Sequence, residues 1–306
     1  MPTDTIAKNA VMNRYDFALL FDVTDGNPNG DPDAGNMPRV DPETMRGFVT
    51  DVSLKRKVRD YVETLKGNQP PYRIYVQHQS RGGTFLNALH DEAHDAVGTA
   101  KDATVRKAPK AVQKESARQW MCTNFYDVRA FGAVMTTGSN AGQVRGPLQL
   151  TFARSIDPVS PTEVTITRVA KTTEARAEKE GTTEIGRKNI VPYGLYLAHG
   201  FVSPSFAAQT GFSDADLNLF WQALLRMFED DRSASRGFMA TRALIAFKHD
   251  SPLGNAPAHE LFERVQVARK PGIDVARQYS DYTVNVVADV PAGVTILEPK
   301  PDYAAV

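Results

Sequence analysis

Tyr15, Phe17, Leu19, Phe21 and Val23 alternate with Asp16, Ala18, Leu20 and Asp22. This period of two predicts a strand over 15–23 with one face on a core. The pattern then dissolves into Gly, Pro, Asn and Asp until residue 50, a connection too long to be an ordinary turn. At Leu54, Val58, Tyr61 and Leu65 the spacing becomes four, three and four, which predicts a helix capped by Thr50 or Asp51 and stopped by Gly67. Tyr72, Ile74 and Val76 alternate again and predict a strand. Residues 84–121 look helical, with Leu86, Leu89, Ala93 and Val97 on one face.

Strand patterns return in "GPLQLTFARSI", "EVTITRVAK" and "VPYGLYLAHGFVS". The charged, Thr-rich stretch 171–189 has no apolar period, and strands flank it, so it reads as the tip of a projecting hairpin. "SDADLNLFWQALLRMFED" predicts an amphipathic helix with a capping box at Ser213 and Asp216 and with Leu217, Phe220, Leu224 and Phe228 on one face. Strand-like "FMATRALIAFKH", a short helix within 257–268 and strand-like "DYTVNVVAD" close the chain. Without its excursion the order is strand, helix, strand, strand, helix, strand: an α+β chain compatible with a ferredoxin-like or RNA-recognition-motif-like sheet.

Composition adds that the 306 residues, 42% hydrophobic, can fill a real core. Thirty-six Lys plus Arg balance thirty-six Asp plus Glu, so no uniform basic coat is available to grip polyanions. The balance is a cancellation of patches. Asp16, Asp22, Asp25, Asp31, Asp33, Asp41 and Glu43 face one base, Arg39, whereas 55–59 hold Lys55, Arg56, Lys57 and Arg59. The single cysteine, Cys122, excludes an intramolecular disulfide, and no apolar run approaches the ~20 residues of a membrane span. A cytoplasmic protein that does not cross a membrane is expected.

Several constellations invite chemistry. "DGNPNGDPDAGN" spaces its oxygens like an EF-hand from Asp25, but Asn36 stands where the bidentate Glu belongs, and a strand precedes it instead of a helix. A turn-rich loop, or one lying along another backbone, fits better. The basic run at 55–59 falls in the first turns of a helix, where free N–H groups already favour phosphate; the alternative is a solvated helix face. Arg145, Arg154, Arg168, Lys171, Arg187 and Lys188 recur in the later loop and hairpin.

"FGAVMTTGSNAGQVRG" has neither GxGxxG order nor a GK[ST] ending, so no nucleotide cofactor is implied. It reads either as a flexible connection or as a close-approach loop that sets Phe131 or Met135 against a sugar or base. His90 and His94 are one turn apart in an order that matches no zinc-protease motif, and Cys122 reads as a small buried hydrophobe.

The quoted segments also carry a family likeness. "RYDFALLFDVTDGNPNGDPDAGNMPRVDPETMRGFVTDVSLKRKVRDYV", "DVRAFGAVMTTGSNAGQVRGPLQLTFARS", "VPYGLYLAHGFVS" and "SASRGFMATRALIAFKHDSPLGNAPAHELFERV" resemble the backbone subunit of type I-C CRISPR Cascade complexes (the "Cas seven" family). The resemblance implies a hand: an RNA-recognition-motif-like palm from 1–77, 125–156 and 193–306, helical fingers at 78–124, and a thumb hairpin at 157–192. It implies copies stacked head to tail on a CRISPR RNA guide among other Cascade subunits, with target DNA chosen by guide pairing. Under it, Arg39, Lys55, Arg56, Lys57 and Arg59 become guide-phosphate contacts, with Phe131, Met135, Arg145, Arg154, Arg168, Lys171, Arg187 and Lys188 as further ones. The role is non-catalytic and needs no cofactor or metal. The rival is a metal-dependent endoribonuclease of the same fold using Asp25, Asp31 or Asp33.

Overall fold

The structure is a computed structural model that describes residues 9–79, 82–98, 109–168 and 184–302. Strand β1 (Tyr15–Gly26) is followed by the short pair β2 (Gly30–Asp31) and β3 (Met37–Pro38), then β4 (Arg46–Val49) and helix α1 (Asp51–Lys66). Helices α2 (Leu86–Gly98), α3 (Lys110–Asn124) and α4 (Tyr126–Phe131) come next, then strands β5 (Gly132–Met135), β6 (Gly142–Arg145), β7 (Leu148–Leu150), β8 (Ala153–Pro158), β9 (Thr162–Arg168) and β10 (Glu184–Val202). Helices α5 (Pro204–Thr210) and α6 (Asp214–Arg226) lead to β11 (Phe238–His249). Helix α7 (Ala258–Phe262), β12 (Val265–Arg269), β13 (Tyr282–Val286) and β14 (Val294–Leu297) complete the described elements.

A mixed α/β architecture results, built on one large antiparallel sheet. Its strands run β14-β11-β1-β10-β8-β4, with β7 and β9 also paired to β10. The period-two expectation for β1 holds in register: Phe17 lies opposite Gly200 and Ala246, Leu19 opposite Ala198 and Leu244. Phe17 packs edge-on to Phe220 and Trp221 of α6, at 5.7 and 5.1 Å, a geometry aromatic quadrupoles favour. Gly200 is required there, because a Cβ would fall 2.1 Å from the Phe17 ring.

The alternate face differs from expectation. Ala18 and Leu20 are buried too, in a second core with Tyr193, Phe247, Leu261 and Tyr282. Asp16 and Asp22 are fully buried instead of solvated. Buried carboxylates need partners. Asp16 has Arg14 and His249, the latter at 2.8 Å; Asp22 has Arg242 at 2.9 Å and the Tyr193 hydroxyl at 3.0 Å. Burial still pushes the Asp22 carboxyl upward, with Arg242 opposing.

α1 forms where expected. Thr50 accepts from the Ser53 N–H, a cap worth about 1 kcal/mol, and Gly67 ends the helix at φ 62°. The capping box of α6 is present at Ser213 and Asp216.

Residues 72–76 are not a strand. Arg73 makes one bridge to Phe125, and Asp127 holds the Tyr75 and Val76 N–H groups, so the segment is pinned by a side chain instead of a ladder. The sheet position next to β10 belongs to β8. Within 257–268 only Ala258–Phe262 is helical; Val265–Arg269 pairs with β13, as its β-branched residues favour.

α2 and α3 share a separate core of Leu89, Ala93, Val97, Ala117, Met121 and Cys122. His90 is wholly buried, with Nδ1 2.9 Å from the Thr137 carbonyl oxygen and Nε2 2.8 Å from the Tyr75 hydroxyl, so both ring nitrogens have partners within the fold. Burial pushes the Cys122 thiol up to about 11, consistent with an inert packing residue.

Candidate nucleic-acid interface

The loop after β1 is ordered by its own side chains. Asn27 donates to the Asn36 carbonyl at 2.6 Å, and Asn29 Oδ1 accepts from both the backbone and hydroxyl of Thr50, tying the loop to the start of α1. Asp31 accepts from the Asp33 N–H and pairs with Arg39 at 3.4 Å. The Asn and Asp residues therefore serve the turn, as their chemistry favours. No group of three or more His, Cys, Asp or Glu able to hold a metal occurs among the described residues.

Residues 229–237 lie against this loop. The Asn27 N–H donates to the Ser235 carbonyl at 2.8 Å, and Gly26 permits the approach, since a Cβ there would lie 1.9 Å from the Arg236 carbonyl oxygen. From the hairpin side, Lys188 donates to the Ala234 carbonyl at 2.7 Å. The end of β1, the first turns of α1, the 229–237 loop and the base of the β9–β10 hairpin thus converge.

The four cations of α1 do not form one comb. At 100° per residue Lys55 and Arg59 share a face, whereas Arg56 and Lys57 point in other directions. Lys57 is only 1% exposed and pairs with Asp231, which Arg236 shares. Burial, with the neighbouring Arg236 charge, lowers the Lys57 pKa. The expectation that Lys57 meets phosphate is corrected: its ammonium anchors the 229–237 loop from below.

Arg59 is largely buried on Asp127 at 2.7 Å, and Lys55 pairs with Asp51 at 2.9 Å. Both lie over the Phe131 ring. Arg56 is the most exposed of the four, at 38% of its side chain, and pairs with Asp60 along the helix.

Phe131 and Met135 are buried, so the expectation that either meets a sugar or base is also corrected. Phe131 packs edge-on to Phe220 beneath Lys55 and Arg59, while β5 alternation turns Met135 into the α2–α3 core and leaves Val134 outward. Arg145 is exposed and stacks on Phe206 at 4.4 Å. Arg154 is exposed, pairs with Asp41 and sits over Phe48, whose ring parallels the exposed Phe152. Arg187 is exposed and pairs with Glu163 across the hairpin. Lys171 and the side chain of Arg168 lie outside the described residues.

The single-sequence reading missed the 229–238 loop. Arg232 stacks at 4.9 Å on Phe238, an exposed aromatic, beside Ser233, Ser235 and the partly exposed Arg236. Guanidinium, hydroxyls and an open ring are what a single strand's phosphates and bases engage. The available signal was "DRSASRGF", two arginines and a phenylalanine between predicted elements.

A CRISPR-associated protein Cas7 from Haloferax volcanii is 28% identical over 228 residues, covering 70% of this chain and 64% of that protein, so the match spans less than two thirds of the relative's length. Among solved structures, a chain of a CRISPR RNA-guided surveillance complex in a pre-nicking state aligns with a TM-score of 0.49 at 16% identity, covering 76% of this chain and 78% of that one. A chain of a type III-B Cmr-β complex bound to cognate target RNA aligns with a TM-score of 0.38 at 10% identity, covering 76% and 60%. The profile of the family described as CRISPR-associated protein Cas7 matches residues 13–287. Match and chain coincide over nearly every described element, and the protein belongs to the Cas7 family.

Proposed function

We propose that this protein is a non-catalytic backbone subunit of a type I-C CRISPR surveillance complex, binding the CRISPR RNA guide in the cytoplasm and supporting its pairing with target DNA. The observation that carries the reading is the convergence of Arg39, Lys188, Arg232 and Arg236 around the loop that follows β1, next to exposed Phe238. Such cations hold phosphate without reading sequence, leaving sequence to base pairing.

In this reading the strands β11-β1-β10-β8, with α1 and α6 on one face, form an RNA-recognition-motif-like palm. α2 and α3 are the fingers, and β9–β10 is the base of the thumb. Several copies stack head to tail with other Cascade subunits. An open heterologous contact of that kind is favoured on a neutral subunit whose charges are segregated.

The endoribonuclease alternative rests on Asp25, Asp31 and Asp33. Asp31 is occupied by Arg39 and the Asp33 N–H, which supports a structural use, whereas Asp25 and Asp33 are exposed. In the assembled complex with Mg²⁺ and complementary RNA, no regular cleavage ladder is expected. A ladder abolished by Asp33→Ala or Asp25→Ala would overturn the scaffold reading. The purified chain should carry small RNA, visible as high absorbance at the nucleic-acid maximum and removable by ribonuclease or salt.

A further inference from the structure

A groove of about 490 Å³ lies between α3, β6 and α5, away from the 229–238 loop in sequence and built from different elements. Lys114, Arg118 and Arg145 line it against one acid, Glu115, which Arg118 already engages at 2.6 Å. Lys114 has no ion pair among the described residues, and Arg145 has only the Phe206 ring. The stems of Lys114 and Arg118 lie over Gly142, which brings backbone close to both cations.

A second feature points to a ligand. Thr210 lines the groove, is 3% exposed, and its hydroxyl is buried with no hydrogen-bond partner. A buried hydroxyl left unpaired is costly, so such groups have a purpose or a missing partner.

We propose that this groove is an oxyanion subsite for a phosphodiester of a bound single strand: Lys114, Arg118 and Arg145 neutralise the charge, and Thr210 donates a hydrogen bond. The proposal rests on the reading of the protein as RNA-binding and extends its surface. Gly132 pairs with Arg145, and Gly146 abuts the Phe131 backbone, so the groove begins where Lys55 and Arg59 cover the Phe131 ring.

The test uses the full chain and a single-stranded RNA, with affinity measured across a salt series. Lys114→Gln with Arg118→Gln should weaken binding at least tenfold and lower the log–log salt slope by about 0.7, the share of the one phosphate the groove holds. Thr210→Val should weaken binding about tenfold or more, the worth of one hydrogen bond to a charged group, while unfolding at the same or higher denaturant because an unpaired hydroxyl has gone. A merely structural Thr210 would not separate those two readouts.

Arg56→Gln reports the α1 surface independently. If it weakens binding while the groove variants bind like the parent, the groove proposal fails and the RNA-binding reading stands. If the parent chain does not bind RNA, both fail. Inorganic phosphate is titrated as a separate arm: binding lost in Lys114→Gln with Arg118→Gln, with RNA affinity unchanged, would assign the groove to free anion and overturn the strand subsite.

Discussion

Lys57→Glu should cost on the order of 3–5 kcal/mol of folding stability, enough to leave a domain of ordinary stability marginal. The side chain is 1% exposed, and the substitution sets a second carboxylate against Asp231 where the ammonium now sits. Lys57→Met is the informative companion. It keeps an unbranched stem near Phe228 and leaves Asp231 paired with Arg236, so a loss of roughly 1 kcal/mol is expected. Denaturant unfolding of both variants decides the matter. A Lys57→Glu protein as stable as the parent but weaker for RNA would return Lys57 to the nucleic-acid surface.

Asp127→Ala should cost at least about 3 kcal/mol, because one 1% exposed carboxylate satisfies three groups. It accepts from Arg59 at 2.7 Å, from the Tyr75 N–H at 2.7 Å and from the Val76 N–H at 3.1 Å. Removing it strands a guanidinium and two backbone donors at the junction of α1, α4 and the α2–α3 core. Asp127→Asn keeps one acceptor oxygen and should lose less. Limited proteolysis separates a local from a global effect: new cleavage near residues 72–80 before global unfolding is expected, and an unchanged pattern with unchanged stability would show that Asp127 does not hold this junction.

The elements that follow simple periods were legible in the sequence. β1, α1, α6 and β11 carry apolar faces at spacings of two or of three and four, with caps at Thr50, Gly67 and Ser213. Residues 72–76 misled because alternation of Tyr72, Ile74 and Val76 reports burial, and here a distant carboxylate at Asp127 sets the backbone. Asp16 and Asp22 misled for the same reason: their partners, His249 and Arg242, lie more than two hundred residues away in the chain.

At the candidate interface, composition located the cations but not their directions. Lys57 and Arg56 are neighbours in sequence, yet one faces Asp231 in the interior and the other solvent, a distinction that depends on what packs against each side of α1. Phe131 and Met135 were attractive because they flank glycines, but strand alternation and the α2–α3 core claim both. The Arg232–Phe238 pair needed the fold, since the course of the connection between α6 and β11 brings Arg232 over the first residue of β11.

We propose that this Cas7-family chain holds a single-stranded RNA by its phosphates. The most direct test is the affinity of the full chain for two single-stranded RNAs of equal length and unrelated sequence, followed across a salt series. Matching affinities are expected, with matching linear falls of log K with log salt of about 0.7 per phosphate contacted, reduced in Arg56→Gln and Arg232→Gln. Binding that distinguishes the two sequences, or that is indifferent to salt, would contradict it.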